Sequence, residues 1–198
     1  MNPKTVGKNA RPVGTPPGIV LINPRFSHNV GMVVRLAACY GFKQVWFTGD
    51  RVRYELERRK RLPREERMKG WKEVEMVQFD RPLEQFPSDV VPVAVEVRAN
   101  SERLHEFVHP KNAVYVFGPE DGSIPSPILR MCHRFVVIPT MNHYCLNLAT
   151  ATATVLYDRA VKLGEIPDSD AEPIGHTDTD PAEMGLFDDR IWPPELHS

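Results

Sequence analysis

Cysteine is scarce: Cys39, Cys132 and Cys145 in 198 residues are too few and too scattered to staple a small fold, which excludes a disulfide framework. No C-x-x-C pair occurs, and the expectation is no structural zinc and no bound metal. No apolar run approaches the ~20 residues needed to span a bilayer, and the N-terminus shows no apolar signal-peptide core. A cytoplasmic protein with reduced thiols and no membrane contact is the expectation. A G-x-G-x-x-G run is also missing, so a Rossmann dinucleotide site has little support.

Bases are missing from one end of the chain. From Glu165 onward ten acids face a single base, Arg190, for a net charge of −9. The whole chain carries −1, so residues 1–164 carry +8. A basic body favours a polyanionic partner, a property that a near-neutral total conceals. Residues 1–17, with Lys4, Lys8, Arg11 and four prolines, read as a flexible basic arm. Residues 18–164 read as one α/β domain and residues 165–198 as an acidic, disordered tail.

Within the domain, short apolar runs alternate with helical patterns. Strands are expected over Gly18–Ile22, Gln44–Thr48, Val74–Phe79 and Val90–Val97, then from Ala113 and over Phe135–Ile138. Helices are expected over Asn29–Tyr40, with Val30, Val33, Val34, Ala37 and Ala38 buried, over Ser101–Val108, and over Pro125–Met131 with Ser123 as a possible N-cap. A last helix starts at Asn147, buries Leu146, Ala149, Ala153, Leu156 and Ala160, and ends on Lys162 with Gly164 as C-cap. Strands alternating with helices imply a mostly parallel sheet with flanking helices, which binds ligands at the carboxyl ends of its strands.

Residues 51–72 are the most charged stretch, with ten bases against four acids and with Tyr54 and Trp71 among them. Bases interleaved with aromatics suit phosphates and unstacked bases, so Arg58, Arg59, Lys60 and Arg61 are candidate RNA contacts; a solvated helical face with ion pairs such as Glu57 to Arg61 is the alternative.

Three strand-to-helix junctions carry Gly, Asn, Pro or acidic residues directly after an apolar run. Asn29-Val30-Gly31 with Arg35 resembles the N-x-G-x-x-x-R first motif of the SpoU/TrmH family, within the SPOUT class of RNA methyltransferases. Phe117-Gly118-Pro119-Glu120 resembles its second motif, and Ile138-Pro139 through Leu146-Asn147-Leu148 its third. The three occur in the family's order over roughly residues 18–164. The resemblance implies a SPOUT fold with a C-terminal deep trefoil knot, a homodimer, and S-adenosylmethionine as cosubstrate. It places the cosubstrate against Gly118, Ile138, Cys145 and Leu146, with Val95 or Glu96 at the preceding strand end. It makes Arg35 the catalytic arginine, with Asn29, Glu120, Cys145 and Asn147 beside it.

The reaction so implied is methylation of an RNA ribose 2′-hydroxyl. A guanidinium with a pKa above ~12 is a poor base, so clamping the adjacent phosphate and polarising the hydroxyl is the role that suits Arg35. The compact length, without a large separate RNA-binding domain, most resembles the family's small tRNA-modifying members that act at the anticodon wobble ribose, so the resemblance makes transfer RNA the expected substrate; ribosomal RNA, methylation of a base, and RNA binding without catalysis are the alternatives. Two departures stand out: Cys145 where the family commonly has serine, and Ser123-Ile124 where its second motif continues to Gly-Leu.

Overall fold

The computed structural model describes residues 14–52, 73–142 and 144–166. Seven strands form one sheet: β1 (Gly18–Leu21), β2 (Gln44–Phe47), β3 (Glu75–Gln78), β4 (Val91–Val95), β5 (Glu102–Arg103), β6 (Ala113–Phe117) and β7 (Arg134–Val137). Their order is β3-β2-β1-β6-β4-β7-β5, and every pairing is parallel. The expected α/β class is therefore observed, and six of the seven strands fall on expected runs to within a residue or two at their ends.

Central strands β1 and β6 are buried at every residue, which is why they read as unbroken apolar runs rather than alternating ones. Successive side chains still point to opposite faces. Ile19, Leu21, Val45, Phe47, Tyr115 and Phe117 pack under helices α1 (Ser27–Cys39) and α3 (Leu148–Lys162). Val20, Trp46, Val77, Ala94, Val114 and Val116 form the second core with Phe86, Ile124 and Ile128 on the other face.

Helix α1 starts at Ser27, two residues before the expected Asn29, because the backbone amides of Asn29 and Val30 already bond the carbonyl of Phe26. Both long helices end in the same way. Gly41 and Gly164 adopt φ of +74° and +64°, and the amides of Phe42 and Glu165 reach back to the carbonyls of Ala37 and Ala160, completing Schellman motifs. The expected Gly164 cap is thus present.

Three local expectations are corrected. Residues 101–108 form strand β5 and a 3₁₀ turn, Leu104–Glu106, instead of a helix, because Glu102 and Arg103 pair with Val136 and Val137 of β7. Arg134 locks that edge, its Nε and Nη2 donating to both oxygens of Glu102 at 2.7 and 2.8 Å. The helix after the second motif, α2 (Ser126–Leu129), is a single turn with Pro125 as N-cap and no side-chain cap from Ser123. On α3 the buried stripe runs Leu148, Ala149, Thr152, Val155, Leu156, Arg159 and Ala160, so it includes a threonine and an arginine, whereas Leu146 lies before the helix and is 39% exposed.

The buried polar residues of α3 have partners within the helix and beyond it. Thr152 donates to the carbonyl of Leu148 at 2.8 Å, and Arg159 bonds the Lys111 carbonyl and pairs with Glu165 at 3.1 Å. Asp158 pairs with Lys162 and with Nε2 of His109, each at 2.8 Å; Nδ1 of His109 meets the Tyr115 hydroxyl at 2.6 Å. Burial pushes His109 below the ordinary imidazole pKa despite the opposing hydrogen bond to Asp158. A neutral ring donating from Nε2 to Asp158 and accepting the Tyr115 hydroxyl proton satisfies every group, and it ties α3 to β6.

His105-Glu106-Phe107-Val108-His109 spells H-E-x-x-H, a spacing that the expectation of no zinc passed over. The motif binds zinc only on a helix, where the two imidazoles share one face. Here a 3₁₀ turn ends at Glu106, and both ring nitrogens of His109 are engaged by Tyr115 and Asp158. No group of three or more metal-binding side chains occurs among the described residues, nor does a helix long and apolar enough to cross a membrane.

Candidate active site

From β1 the chain steps outward through β2 to β3, and β4 then falls on the other side of β1, beyond β6. The carboxyl ends of β1, β6, β4 and β7 thereby lie side by side, where an open parallel sheet holds its ligands. The first motif lies in α1, which follows the loop after β1, the second in the loop after β6 and the third in that after β7.

Asn29, Glu120 and Asn147 meet there. Nδ2 of Asn29 donates to Oε1 of Glu120 at 2.8 Å, across 91 residues of sequence. Oδ1 of the same Asn29 accepts from Nδ2 of Asn147 at 3.1 Å, across 118 residues. Asn147 is the N-cap of α3, its Oδ1 accepting the Ala149 amide proton at 2.8 Å. An amide N–H at one end can only donate, and a carboxylate at the other can only accept. Both asparagines are therefore oriented by chemistry: Ala149 N–H to Asn147, Asn147 to Asn29, Asn29 to Glu120.

The far oxygen of Glu120 accepts the Arg25 amide at 2.7 Å, and Oε1 also takes the Phe26 amide at 3.3 Å. Burial is the largest single influence on this carboxyl and pushes its pKa up. The hydrogen bonds from Asn29 and from the backbone amides of Arg25, Glu120 and Phe26 together outweigh it, so Glu120 sits below the ordinary carboxylate value and is ionised. Asn29 itself is 1% exposed. The three loops are thus stitched by a continuous chain of hydrogen bonds anchored on one anion.

The other predicted residues differ in exposure and in partners. Arg35 projects from α1 into solvent, with no hydrogen bond or ion pair among the described residues. Cys145 is a free, exposed thiol. Val95 and Ile138 are partly buried at adjacent strand ends, and Leu146, later in the loop after β7, is exposed. Gly118 follows β6 where a Cβ would meet the Ile124 amide nitrogen at 3.3 Å. The close approach that glycine permits there is to its own loop. Arg58, Arg59, Lys60 and Arg61 lie outside the described residues, as do the arm up to residue 13 and the tail from residue 167.

Glu96 does more than mark a strand end. Its two carboxylate oxygens accept the amides of Ile124 and Val97 at 2.9 and 3.0 Å, and its carbonyl accepts the Ser101 hydroxyl at 2.8 Å. It joins the loop after β4 to the loop after β6. One further residue escaped the sequence reading. Asp121 is held by Arg51 through three contacts of 3.0–3.1 Å and by Arg25 at 3.4 Å, bridging the first and second motif loops. The signal available was the tandem Glu120-Asp121 after Gly118-Pro119, in which only the first acid was weighed.

Residues 17–157 match the model of the SpoU rRNA methylase family, and the chain belongs to that family. Among curated relatives it is 24% identical over 155 residues to the tRNA (cytidine-2′-O-)-methyltransferase TrmJ of Methanocaldococcus jannaschii, a match covering 71% of this chain and 65% of the relative. The fold is shared with a protein solved in work on the 2-OH methylation of C/U34 on tRNA, at a TM-score of 0.60 and 24% identity over 74% of this chain and 90% of that one. It is shared too with the SpoU methyltransferase AviRb from Streptomyces viridochromogenes in complex with AdoMet, at a TM-score of 0.58 and 17% identity over 78% and 64% of the two chains.

Proposed function

We propose that this protein is an S-adenosylmethionine-dependent RNA methyltransferase acting on a ribose 2′-hydroxyl, with tRNA as the substrate. The observation that carries the reading is the directed chain from Ala149 through Asn147 and Asn29 to Glu120. It joins the three motif loops at the sheet's carboxyl edge, in a chain of a methylase family whose relatives include a tRNA 2′-O-methyltransferase.

When bound, S-adenosylmethionine supplies an electrophilic methyl group and departs as a neutral thioether, so the site needs no stabiliser for a leaving anion. Val95, Ile138 and exposed Leu146 offer apolar walls at adjacent loop ends, and the backbone of the loops after Gly118 and Ile138 offers the polar groups an adenine edge requires. These residues fit the cosubstrate. Glu96 acts from behind, fixing the Ile124 amide and with it the second loop.

Arg35 is the residue free to meet the RNA. Its guanidinium clamps the phosphate beside the target ribose and polarises the 2′-hydroxyl, which orients the oxygen for in-line attack. Asn29, Glu120 and Asn147 have their polar atoms engaged with one another and hold the loops in register. Cys145 occupies the space of the family's serine with a weaker hydrogen-bonding group.

Exposed apolar residues on α1 and α3, namely Met32, Tyr157 and Val161, support a homodimer through a second copy of this chain. Action on RNA in the cytoplasm accords with these features.

The test is calorimetric titration of S-adenosylmethionine into wild type and Asn147→Ala, followed by transfer of labelled methyl into bulk tRNA and nuclease digestion. Binding with label in ribose, both weakened by the substitution, is the expected result. Label in a base refutes ribose specificity. Binding without transfer to any RNA favours a non-catalytic RNA-binding protein, and no binding overturns the reading.

A further inference from the structure

The N-cap of α1 breaks a local rule. Serine, threonine, aspartate or asparagine at that position would stabilise the helix by about 1 kcal/mol through a side-chain bond to a free amide. The position is held by Phe26, which makes no such bond and is 41% exposed. An exposed ring in place of a capping side chain departs from the rule for helix starts, and such departures concentrate at functional positions.

The ring is also well placed and firmly held. The Phe26 amide donates to Glu120 Oε1, and its carbonyl accepts from Asn29 and Val30. Its backbone therefore hangs on the same carboxylate that Asn29 binds. Exposed His28 stacks beside it, with ring centroids 6.5 Å apart and planes 25° from parallel, within the range of aromatic stacking. The Arg25 guanidinium lies over the Phe26 ring at 5.2 Å from its centroid. Arg51 already binds Asp121 through three close contacts. Arg25 adds one at 3.4 Å with its side chain about half exposed, and so can leave for another anion.

We propose that Phe26 and His28 form a stacking platform for an unpaired base of the substrate, with Arg25 closing on an adjoining phosphate. Flat, exposed aromatics on a rigid backbone beside a mobile cation are the elements by which proteins hold single-stranded nucleotides. The platform starts at Phe26, whose own amide binds Glu120, so the stacked base is a neighbour of the nucleotide delivered to the motif loops. The proposal rests on the RNA methyltransferase reading.

The experiment compares wild type with Phe26→Leu, Phe26→Trp and His28→Ala. Anisotropy reports affinity for labelled tRNA and for a single-stranded oligonucleotide, calorimetry reports affinity for S-adenosylmethionine, and melting confirms the fold. Leucine keeps apolar bulk but no π face, and loss of stacking should weaken RNA binding by about 5- to 150-fold. Tryptophan should retain affinity, and its fluorescence should be quenched by RNA. Cosubstrate affinity should not change. Arg25→Gln should lower the slope of log affinity against log salt by about 0.7, the value for one single-strand phosphate. Wild-type RNA affinity in folded Phe26→Leu and His28→Ala, or an unquenched Phe26→Trp complex, overturns the platform and leaves the methyltransferase intact. A wild type that neither binds nor methylates RNA overturns both.

Discussion

Asn29→Asp is the sharpest probe of the hydrogen-bond chain, since it replaces one NH₂ by oxygen with almost no change of volume. In the wild type, Nδ2 of Asn29 meets Oε1 of Glu120 at 2.8 Å, and Asn29 is buried. Aspartate would set two carboxylate oxygens at that distance away from bulk water, where both cannot remain ionised. One proton then stays on the pair, and the apparent pKa belongs to the pair. Holding a carboxyl with a free pKa of ~3.9 protonated at pH 7 costs at most about 4 kcal/mol, at 1.36 kcal/mol per unit. The retained proton lets the new carboxyl donate to Glu120, so the link itself survives.

The sign of the pH dependence follows. A folded-state pKa above its unfolded value adds stability that is fully present below the unfolded value and lost as pH rises through the folded one. Relative to wild type, Asn29→Asp should therefore regain up to about 2.7 kcal/mol between pH 7 and pH 5, or about 5–11 °C in Tm. Wild-type Glu120 has the opposite sign: its depressed pKa gives stability that is lost only below about pH 4.5. Thermal and urea unfolding of both proteins at pH 5, 6 and 7 gives the difference, in which shared groups such as His109 cancel. A variant within about 0.5 kcal/mol of wild type at pH 7, or a difference that does not shrink with acid, refutes the contact and the orientation of Asn29.

Three further outcomes are expected. Burial pushes the His109 pKa down, so its contribution to stability is present above about 6.5 and is lost as pH falls through the folded-state value; urea unfolding between pH 7 and 5 should show this loss in wild type and not in His109→Gln. Arg35→Ala should leave the melting temperature and cosubstrate affinity unchanged, since Arg35 has no partner among the described residues, while methyl transfer falls about a hundredfold or more. Val161→Glu, on the exposed face of α3, should turn a dimer into a monomer by light scattering, and a wild-type monomer would refute the second copy.

Much of this fold was legible because its strands are buried on both faces. A parallel strand such as β6, apolar at every residue, cannot be mistaken for a loop, and Gly118-Pro119 marks its end. Helix α1 declared itself by Val30, Val33, Val34 and Ala37 at helical spacing, ended by Gly41. Strand β5 was hidden, because two exposed residues become a strand only through a partner, β7, that lies more than 30 residues away. The buried side of α3 was half legible: Thr152 and Arg159 read as polar surface until the Leu148 and Lys111 carbonyls and Glu165 are placed against them. At the site, motif resemblance located Asn29, Glu120 and Asn147 one at a time. That they bond in series depends on strand order, which brings β1, β6 and β7 to a common edge and which no local pattern encodes.

The hydrogen-bond chain also divides labour within the site. Asn29, Glu120 and Asn147 each spend their side-chain polar atoms on one another or on backbone amides. A group so engaged has little left for a reacting hydroxyl, so its effect is on where the loops stand. Of the other residues on these loops and on α1, Arg35, Cys145 and Arg25 have capacity to spare. The split appears in kinetics. Asn147→Ala, which frees the Ala149 amide and the Asn29 carbonyl, should loosen the third loop and raise KM for the cosubstrate with a smaller change in kcat. Arg35→Ala should lower kcat at an unchanged cosubstrate KM. Equal loss of kcat in both variants with neither KM moved would place Asn147 in contact with the reacting atoms, and the division between scaffold and chemistry would fall.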